Sequence, residues 1–334
     1  MAGRPKPPTK GAPLSRPIKP STLRRAQRLA AKLPPKWDRR VREAGKQLIN
    51  YRGARSVGMR GLLFRVLGRY SRLLATPFGK GLILVDSTDD EIGRMVFMKG
   101  EYERLYMAAA LEYLGSSAAY GELGPVFIDV GANIGISTLD ALLHFGFKEA
   151  ICFEPDSRNF RLLRLNILLN DLDDRVTAHR LALSDSDGEG VIERAEGNFG
   201  DSHLVAGEKA AGSEQERVST RRLDSMLAEG SPDLDRIGLL WIDAQGHDPF
   251  VLSGARSVLR AGVPVVVEYW PKALSAGGAF ELFESLVAEH YSSVVDLRRL
   301  CEGAEDRGVL AGRDIRNLRA FYEGAEFTDL LLVR

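Results

Sequence analysis

The feature that most limits how this chain folds is a regular alternation, from about residue 126 onward, of short apolar runs and helically spaced segments. Val126–Val130, Ile151–Phe153, Val176–Leu183, Ile237–Ile242, Val263–Glu268, Ser292–Asp296 and Phe327–Val333 read as strands. Ile136–Phe145, Ser157–Leu169, Pro249–Leu259 and Phe280–His290 read as the helices between them, with Ser157 at a cap position. Pro249 stands near a helix start, where its missing N–H does no harm. Strands without polar alternation are covered on both faces, and strand–helix–strand repeats return to the same sheet in parallel. The fold class expected is therefore α/β and Rossmann-like: a mostly parallel seven-stranded sheet with helices on both faces. Upstream, Leu82–Val85 and Met95–Met98 read as two short strands, and Glu101–Leu114 as a helix. The chemistry of such a sheet lies off the carboxyl ends of its strands.

Charge divides the chain differently. The whole sequence carries 46 Lys+Arg against 45 Asp+Glu, but residues 1–80 hold 21 of the basic residues and only Asp38 and Glu43 as acids. Residues 1–40 contain Pro5, Pro7, Pro8, Pro13, Pro17, Pro20, Pro34 and Pro35 and few large apolar side chains. A disordered basic arm is expected there, apart from a short helix near Thr22–Leu33. In the extension over 41–80, Met59, Leu62, Leu63, Val66, Leu67, Tyr70, Leu73 and Leu74 fill one helical stripe of about 140°, beside Arg60, Arg65, Arg69 and Arg72. Such a stripe packs on the neighbouring acidic body or makes peripheral membrane contact through residues 59–75. Aromatic residues are sparse among the basic ones, which argues against nucleic acid. No run of about 18 apolar residues is present to span a membrane, and no secretory signal is visible. Cys152 and Cys301 are too few for a disulfide framework, so a cytoplasmic setting is expected, with peripheral contact at the inner face of the membrane. Residues 81–334 form the expected catalytic domain, and the sequence sets no oligomeric state.

Three strand ends carry candidate chemistry. Asp129-Val130-Gly131-Ala132-Asn133-Ile134-Gly135 follows the first strand, and its glycines allow a tight turn and close approach of a ligand. It is neither Gly-x-Gly-x-x-Gly nor a P-loop, so a pyrophosphate cradle is disfavoured. A carboxylate before the turn suits a cationic ligand. Glu154-Pro155 ends the second strand, where an acid can accept hydrogen bonds from ribose hydroxyls. Ser184-Asp185 follows the third, where a side chain can meet an adenine edge. Together these point to S-adenosyl-L-methionine as cofactor.

At these residues the sequence resembles the FkbM family of S-adenosylmethionine-dependent methyltransferases, of class I methyltransferase fold. The resemblance covers roughly residues 81–334. It rests on Gly100-Glu101-Tyr102-Glu103, Ile128–Gly135, Phe153-Glu154-Pro155, Ala182–Asp185 and Arg222-Leu223-Asp224-Ser225. The most distinctive stretch is Trp241–Asp248, followed by Val251-Leu252-x-Gly254. Arg222 stands where the family usually has Thr, and Asp248 where it usually has Glu. The resemblance implies methyl transfer, usually to a hydroxyl, and a cofactor site built from Asp129, Gly131, Ala132, Asn133, Gly135, Glu154, Pro155, Ser184, Asp185 and Asp243.

An unactivated hydroxyl needs a base. His247, Asp243 and Glu268 are the catalytic candidates, His247 because its ordinary pKa is near 6.5. The alternative for His247 is a hydrogen-bonded turn histidine, and for Asp248 a helix-start acid. No His, Asp or Glu spacing calls for a metal. The stretch 186–219 is long for a connection and reads as disordered or as a lid over the acceptor. The acceptor expected is a small-molecule or glycan hydroxyl, on a carbohydrate, glycolipid or secondary metabolite. The competing readings are a SAM-binding module without catalysis, and an RNA or N-methyltransferase using the basic arm.

Overall fold

The computed structural model describes residues 57–117, 122–195, 197–205, 214–230, 232–275, 279–304, 308–322 and 327–334. The arm over 1–40 and the short helix near Thr22–Leu33 lie outside them.

The alternation folds as a three-layer sandwich. Its parallel core is β3 (Val126–Val130), β4 (Glu149–Phe153), β5 (Val176–His179), β10 (Ile237–Ile242) and β11 (Val265–Tyr269). Three antiparallel pairings extend it through β14 (Thr328–Val333), β12 (Ser293–Asp296) and β13 (Val309–Ala311), giving the order β13-β12-β14-β11-β10-β3-β4-β5. The sheet has eight strands rather than seven, because the three-residue β13 pairs on the outer edge of β12. Strand order reverses at β3 and β10, which opens a crevice at their carboxyl ends.

Residue parity decides which face each strand residue serves. Phe127, Leu239, Trp241, Val266 and Leu331 pack with α3 (Arg104–Ser116), α4 (Ile136–Leu143) and α5 (Ser157–Leu169). Ile128, Val130, Leu240, Val267 and Leu330 pack on the other face with α7 (Asp248–Ser253), α8 (Arg256–Ala261) and α10 (Ala279–His290).

Several expected elements differ. Met95–Met98 lies within the helix α2 (Ile92–Lys99), whose Val96 and Phe97 are buried. The stripe over 59–74 is helical only in α1 (Val57–Gly68), and Leu73 and Leu74 belong to β1 (Leu73–Phe78). β1 pairs with β2 (Gly81–Asp86), so the expected boundary at residue 80 falls in a hairpin turn. Helix, hairpin and sandwich belong to one compact unit over Arg52–Arg334. The free edge of β2 is held by two asparagines one turn apart, Asn166 on α5 and Asn170 at its C-cap. Leu84 N donates to Asn166 Oδ1 at 2.6 Å and Leu82 N to Asn170 Oδ1 at 2.9 Å, and both amide nitrogens donate back to the same residues' carbonyls.

The helix expected over Pro249–Leu259 is two, α7 and α8, broken around Gly254, whose close approach to Ser184 O leaves no room for a side chain. Helix α5 is capped by Asp156, not Ser157: its carboxylate accepts from Arg158 N. The run Val176–Leu183 is split. Its end forms β6 (Ala182–Leu183), which leaves the main sheet and pairs with β9 (Glu214–Arg221). With β7 (Gly188–Arg194) and β8 (His203–Val205) this makes a second sheet of four strands. The described part of the 186–219 stretch is thus an ordered sheet.

Candidate functional site

The crevice at the reversal encloses about 590 Å³ of space, part of it open solvent. Its floor is Val130, Gly131 and Asn133 from the turn after β3, with Glu154 and Pro155 after β4. Asp243, Gln245 and His247 after β10 form one wall. The second sheet supplies the roof through Ile192, Phe199, Gly200 and His203. Among the described residues that line it there is no lysine or arginine.

The turn after β3 is built by backbone geometry. Gly131 has φ +78°, and a Cβ on it would fall 1.8 Å from Asp243 O, so only glycine lets the tips of β3 and β10 come this close. Gly131 N and Ala132 N both donate to Phe153 O, at 2.9 and 3.0 Å. Asn133 adopts φ +49°. Its backbone N–H donates to Glu154 Oε2 at 2.8 Å, while Asp156 N donates to Oε1 at 2.8 Å. Asn133 Oδ1 is buried with no hydrogen-bond partner, which costs stability unless a ligand donates to it. Burial pushes the Glu154 carboxyl up to about 8, against the two backbone hydrogen bonds that lower it. Both oxygens retain lone pairs for further donors. Gly135 opens α4 in the left-handed region. Ala132 is buried inside the turn.

Other expected residues are placed differently. Asp129 does not line the cavity: parity turns it toward α4, where it accepts from Thr138 Oγ1 at 2.5 Å beside Cys152. Burial raises its carboxyl to about 7. Asp185 is exposed and outside the lining, because β6 has turned into the second sheet; its carboxylate accepts from Ser184 and Ser186. Ser184 Oγ instead meets His247 Nε2 at 2.9 Å. The His247 ring stacks on Phe250 with centroids 4.8 Å apart. Burial drives its pKa down to about 4, against the pull of Asp185. A neutral, low-pKa imidazole already paired with Ser184 is a poor proton acceptor. Asp248 accepts from Ala244 N and Gly246 N and closes the turn after β10.

A carboxylate row was only partly foreseen. Ile242 pairs with Val267, so Asp243 and Glu268 stand next in that register; Glu268 pairs with Asp329 on β14. All three have the parity of Trp241, Val266 and Leu331, the face covered by α3. Gln245 Nε2 ties the first two, donating to Asp243 Oδ1 at 2.7 Å and Glu268 Oε2 at 3.4 Å. Glu103, in the left-handed region at φ +54° before α3, lies within electrostatic reach of Asp243. Burial, then the charge on Asp243, raises Glu103 to about 7. Asp243, Glu268 and Asp329 are raised as well, each by burial first; the charge of Asp201 adds to the shift of Asp243, and those of Asp243, Asp248 and Glu103 add to the shifts of Glu268 and Asp329. Asp329 escaped the sequence reading, and Glu103 entered it only as part of the Gly100–Glu103 segment, without a role at the site. The signal for Asp329 was a lone acid in the apolar run that ends the chain.

The roof is fastened to α5. Arg194 on β7 donates to Asp156 Oδ2 at 3.1 Å and to Ser157 Oγ at 2.9 Å. Asn159 Nδ2 holds Phe199 O at 2.9 Å, and the Arg158 guanidinium lies 4.6 Å over the Phe199 ring. Burial alone would raise the Asp156 carboxyl, but hydrogen bonds and charge from Arg158 and Arg194 hold it below its ordinary value. Among the described residues no His, Cys, Asp and Glu group is arranged to hold a metal ion.

The raised carboxyls fix a stability trend. Glu103, Asp129 and Asp248 sit near 7 and Glu154 near 8, whereas unfolded carboxyls sit near 4. From about pH 4 to about 8 the folded chain therefore holds protons that the unfolded chain has already lost, so stability falls as pH rises across that window and levels off above it. The melting temperature of the ligand-free protein is expected to drop across that interval. A rise would contradict the burial of these groups in charged company.

Strand order, the reversed last pairing and the acid-lined crevice together define a class I methyltransferase fold. Residues 129–292 match the family profile described as Methyltransferase FkbM domain. Over that segment the chain is similar to the methyltransferase domain of the FkbM family. Two curated relatives are similar over that part. Methyltransferase sdnD of Sordaria araneosa is 31% identical over 172 residues, covering 44% of this chain and 66% of the relative. The 2-O-methyltransferase NoeI of Sinorhizobium fredii is 29% identical over 167 residues, covering 46% of this chain and 66% of the relative. The matches thus span just under two thirds of each relative's length. Among solved structures, methyltransferase FkbM from Methylobacillus flagellatus aligns with a TM-score of 0.31 and 15% identity, over 63% of this chain and 48% of that one.

Proposed function

We propose that this protein transfers a methyl group from S-adenosyl-L-methionine to a hydroxyl oxygen of a hydroxyl-rich acceptor: a carbohydrate, a glycolipid or a secondary metabolite. The observation that carries this reading is the row of acids that runs outward from Gly131. It begins beside the cavity at Asp243 and continues through Glu268 to Asp329, with Glu103 in electrostatic reach of Asp243 and, among the described residues, no lysine or arginine lining the cavity. A cationic cofactor offsets the near end of such a row, and an acceptor rich in O–H donors satisfies the far end.

The cavity fits the cofactor by its own unmet requirements: Asn133 Oδ1 lacks a donor, and Glu154 keeps free lone pairs at the second strand end. Glu154 would hold the ribose hydroxyls and Asp243 the positively charged end. Bound there, S-adenosylmethionine supplies a methyl activated by its sulfonium, with the thioether sulfur as leaving group. Glu268, Asp329 and Glu103 would orient the acceptor and take the proton that its oxygen gives up on gaining the methyl. His247 would serve the turn and the cavity wall, not proton transfer. The name of NoeI, a 2-O-methyltransferase, favours oxygen over nitrogen as the acceptor atom.

Calorimetry with S-adenosylmethionine and with its demethylated product tests the cofactor. Micromolar binding of both is expected, weakened roughly tenfold by Glu154→Gln through loss of a charge-assisted hydrogen bond. Absence of binding by either ligand removes the reading. Incubation with a methyl-labelled cofactor and hydroxylated acceptors should place the label on oxygen. Label on nitrogen or RNA would favour the competing class.

A further inference from the structure

We propose that the outward face of α1 is a docking surface for an anionic lipid bilayer. The helix has two faces of different character. Inward, Phe64 is buried against Phe97 with ring centroids 5.4 Å apart, Leu63 and Leu67 join the same core, and Arg60 donates to Thr76 Oγ1 at 2.8 Å. That face completes the packing of α1 on α2 and β1. Outward, Met59, Leu62 and Val66 are 49%, 57% and 40% exposed, and Tyr70 just beyond the helix is 78% exposed. These four follow the i, i+3, i+7, i+11 line of a single face. They lie outside the buried core, which does not account for so much apolar surface left exposed.

Arg65 and Arg69 flank this ridge and are exposed, and among the described residues neither has an ion-pair partner. Residues 1–56, which lead directly into the helix, carry 16 Lys+Arg against Asp38 and Glu43. An apolar ridge bordered by cations, continued by a long stretch of the same sign, matches a surface that is apolar at shallow depth and diffusely negative above it. Each Lys or Arg near such a surface adds to the attraction. A helix of 12 residues is far too short to cross, and no described helix is long and apolar enough to do so. The contact is therefore one of lying on the surface. The start of α2, the helix on which α1 packs, meets the cavity roof: Asp90 N donates to Gly197 O at 2.9 Å, and Ile92 lies against Gly200.

The test needs no activity, so its outcome is separate from the methyltransferase reading. The full chain is floated with phosphatidylcholine vesicles with and without about 30% phosphatidylglycerol. Binding is expected only to the anionic vesicles. Leu62→Glu with Val66→Glu should lower the partition coefficient at least about tenfold, and Arg65→Gln with Arg69→Gln should lower it severalfold. Both double variants alter exposed positions, so melting temperature and cofactor affinity should not change. Three outcomes overturn the proposal: no flotation with anionic vesicles; equal binding by the Leu62/Val66 variant, which would credit the arm alone; or a change of that variant from dimer to monomer with lipid binding intact, which would assign the face to a second copy.

Discussion

Gly131→Ala is expected to unfold the site from its first turn. The new methyl would lie 1.8 Å from Asp243 O and 2.9 Å from Asp243 C, in a backbone conformation with φ +78°. Both obstacles are backbone, at the point where β3 and β10 are hydrogen-bonded, so neither can rotate away. Overpacking and left-handed strain together make a loss on the order of 3 kcal/mol. Cofactor affinity should fall more than about a hundredfold, because the same shift displaces Asn133 and Asp243. Gly115→Ala is the control. Gly115 lies within α3 with nothing within 4 Å of its missing Cβ, so alanine there should be neutral or stabilise by about 0.5–1 kcal/mol. Denaturant unfolding of both variants, with calorimetry, decides the matter; a Gly131→Ala protein with unchanged midpoint and affinity would remove the close-approach argument.

Glu268→Gln should separate stability from activity. Glu268 and Asp329 are direct cross-strand partners and both buried, and like charges so placed oppose folding. Replacing one with a neutral amide relieves that repulsion, so the melting temperature should rise. Turnover should nevertheless fall by about 10²-fold or more if the row accepts the acceptor's proton, with cofactor affinity within a few fold of the native protein. In the native protein, activity should climb as pH rises through about 7, as Glu103 loses its proton. His247→Ala should cost far less turnover. A silent Glu268→Gln beside an inactive His247→Ala would return the base to the histidine.

What could be read from the residues alone follows from which forces are local. The runs Val126–Val130 and Ile237–Ile242 announce themselves, because a strand covered on both faces must be apolar throughout, and both are observed to the residue. Gly131 and Glu154 are legible for a similar reason: a tight turn and an acid after consecutive strands. Met95–Met98 misled because a four-residue apolar run fits either period; burial of Val96 and Phe97 under α1 settles it as helix. The break in Val176–Leu183 depends on β9, more than 30 residues away, offering β6 a partner. The carboxylate row was hidden for the strongest version of that reason. Asp243, Glu268 and Asp329 become neighbours only through the register of β10, β11 and β14, and Glu268 and Asp329 are 61 positions apart in sequence. Asp129 shows the converse, since correct motif and correct strand still left its direction to parity and to Thr138.

The paired amides of Asn166 and Asn170 have a mechanical consequence. They make α5 serve as the missing neighbour strand of β2, so the hairpin cannot slide or hinge without breaking four hydrogen bonds at once. The first turn of α5 is where Asp156 donates its N–H to Glu154 and anchors the roof through Arg194. A rigid strut therefore runs from the hairpin under α1 to the Glu154 end of the cavity. If α1 rests on a bilayer, the cavity stands at a set height and tilt above it, and the reach of the acceptor, not the flexing of a tether, decides which hydroxyls can enter.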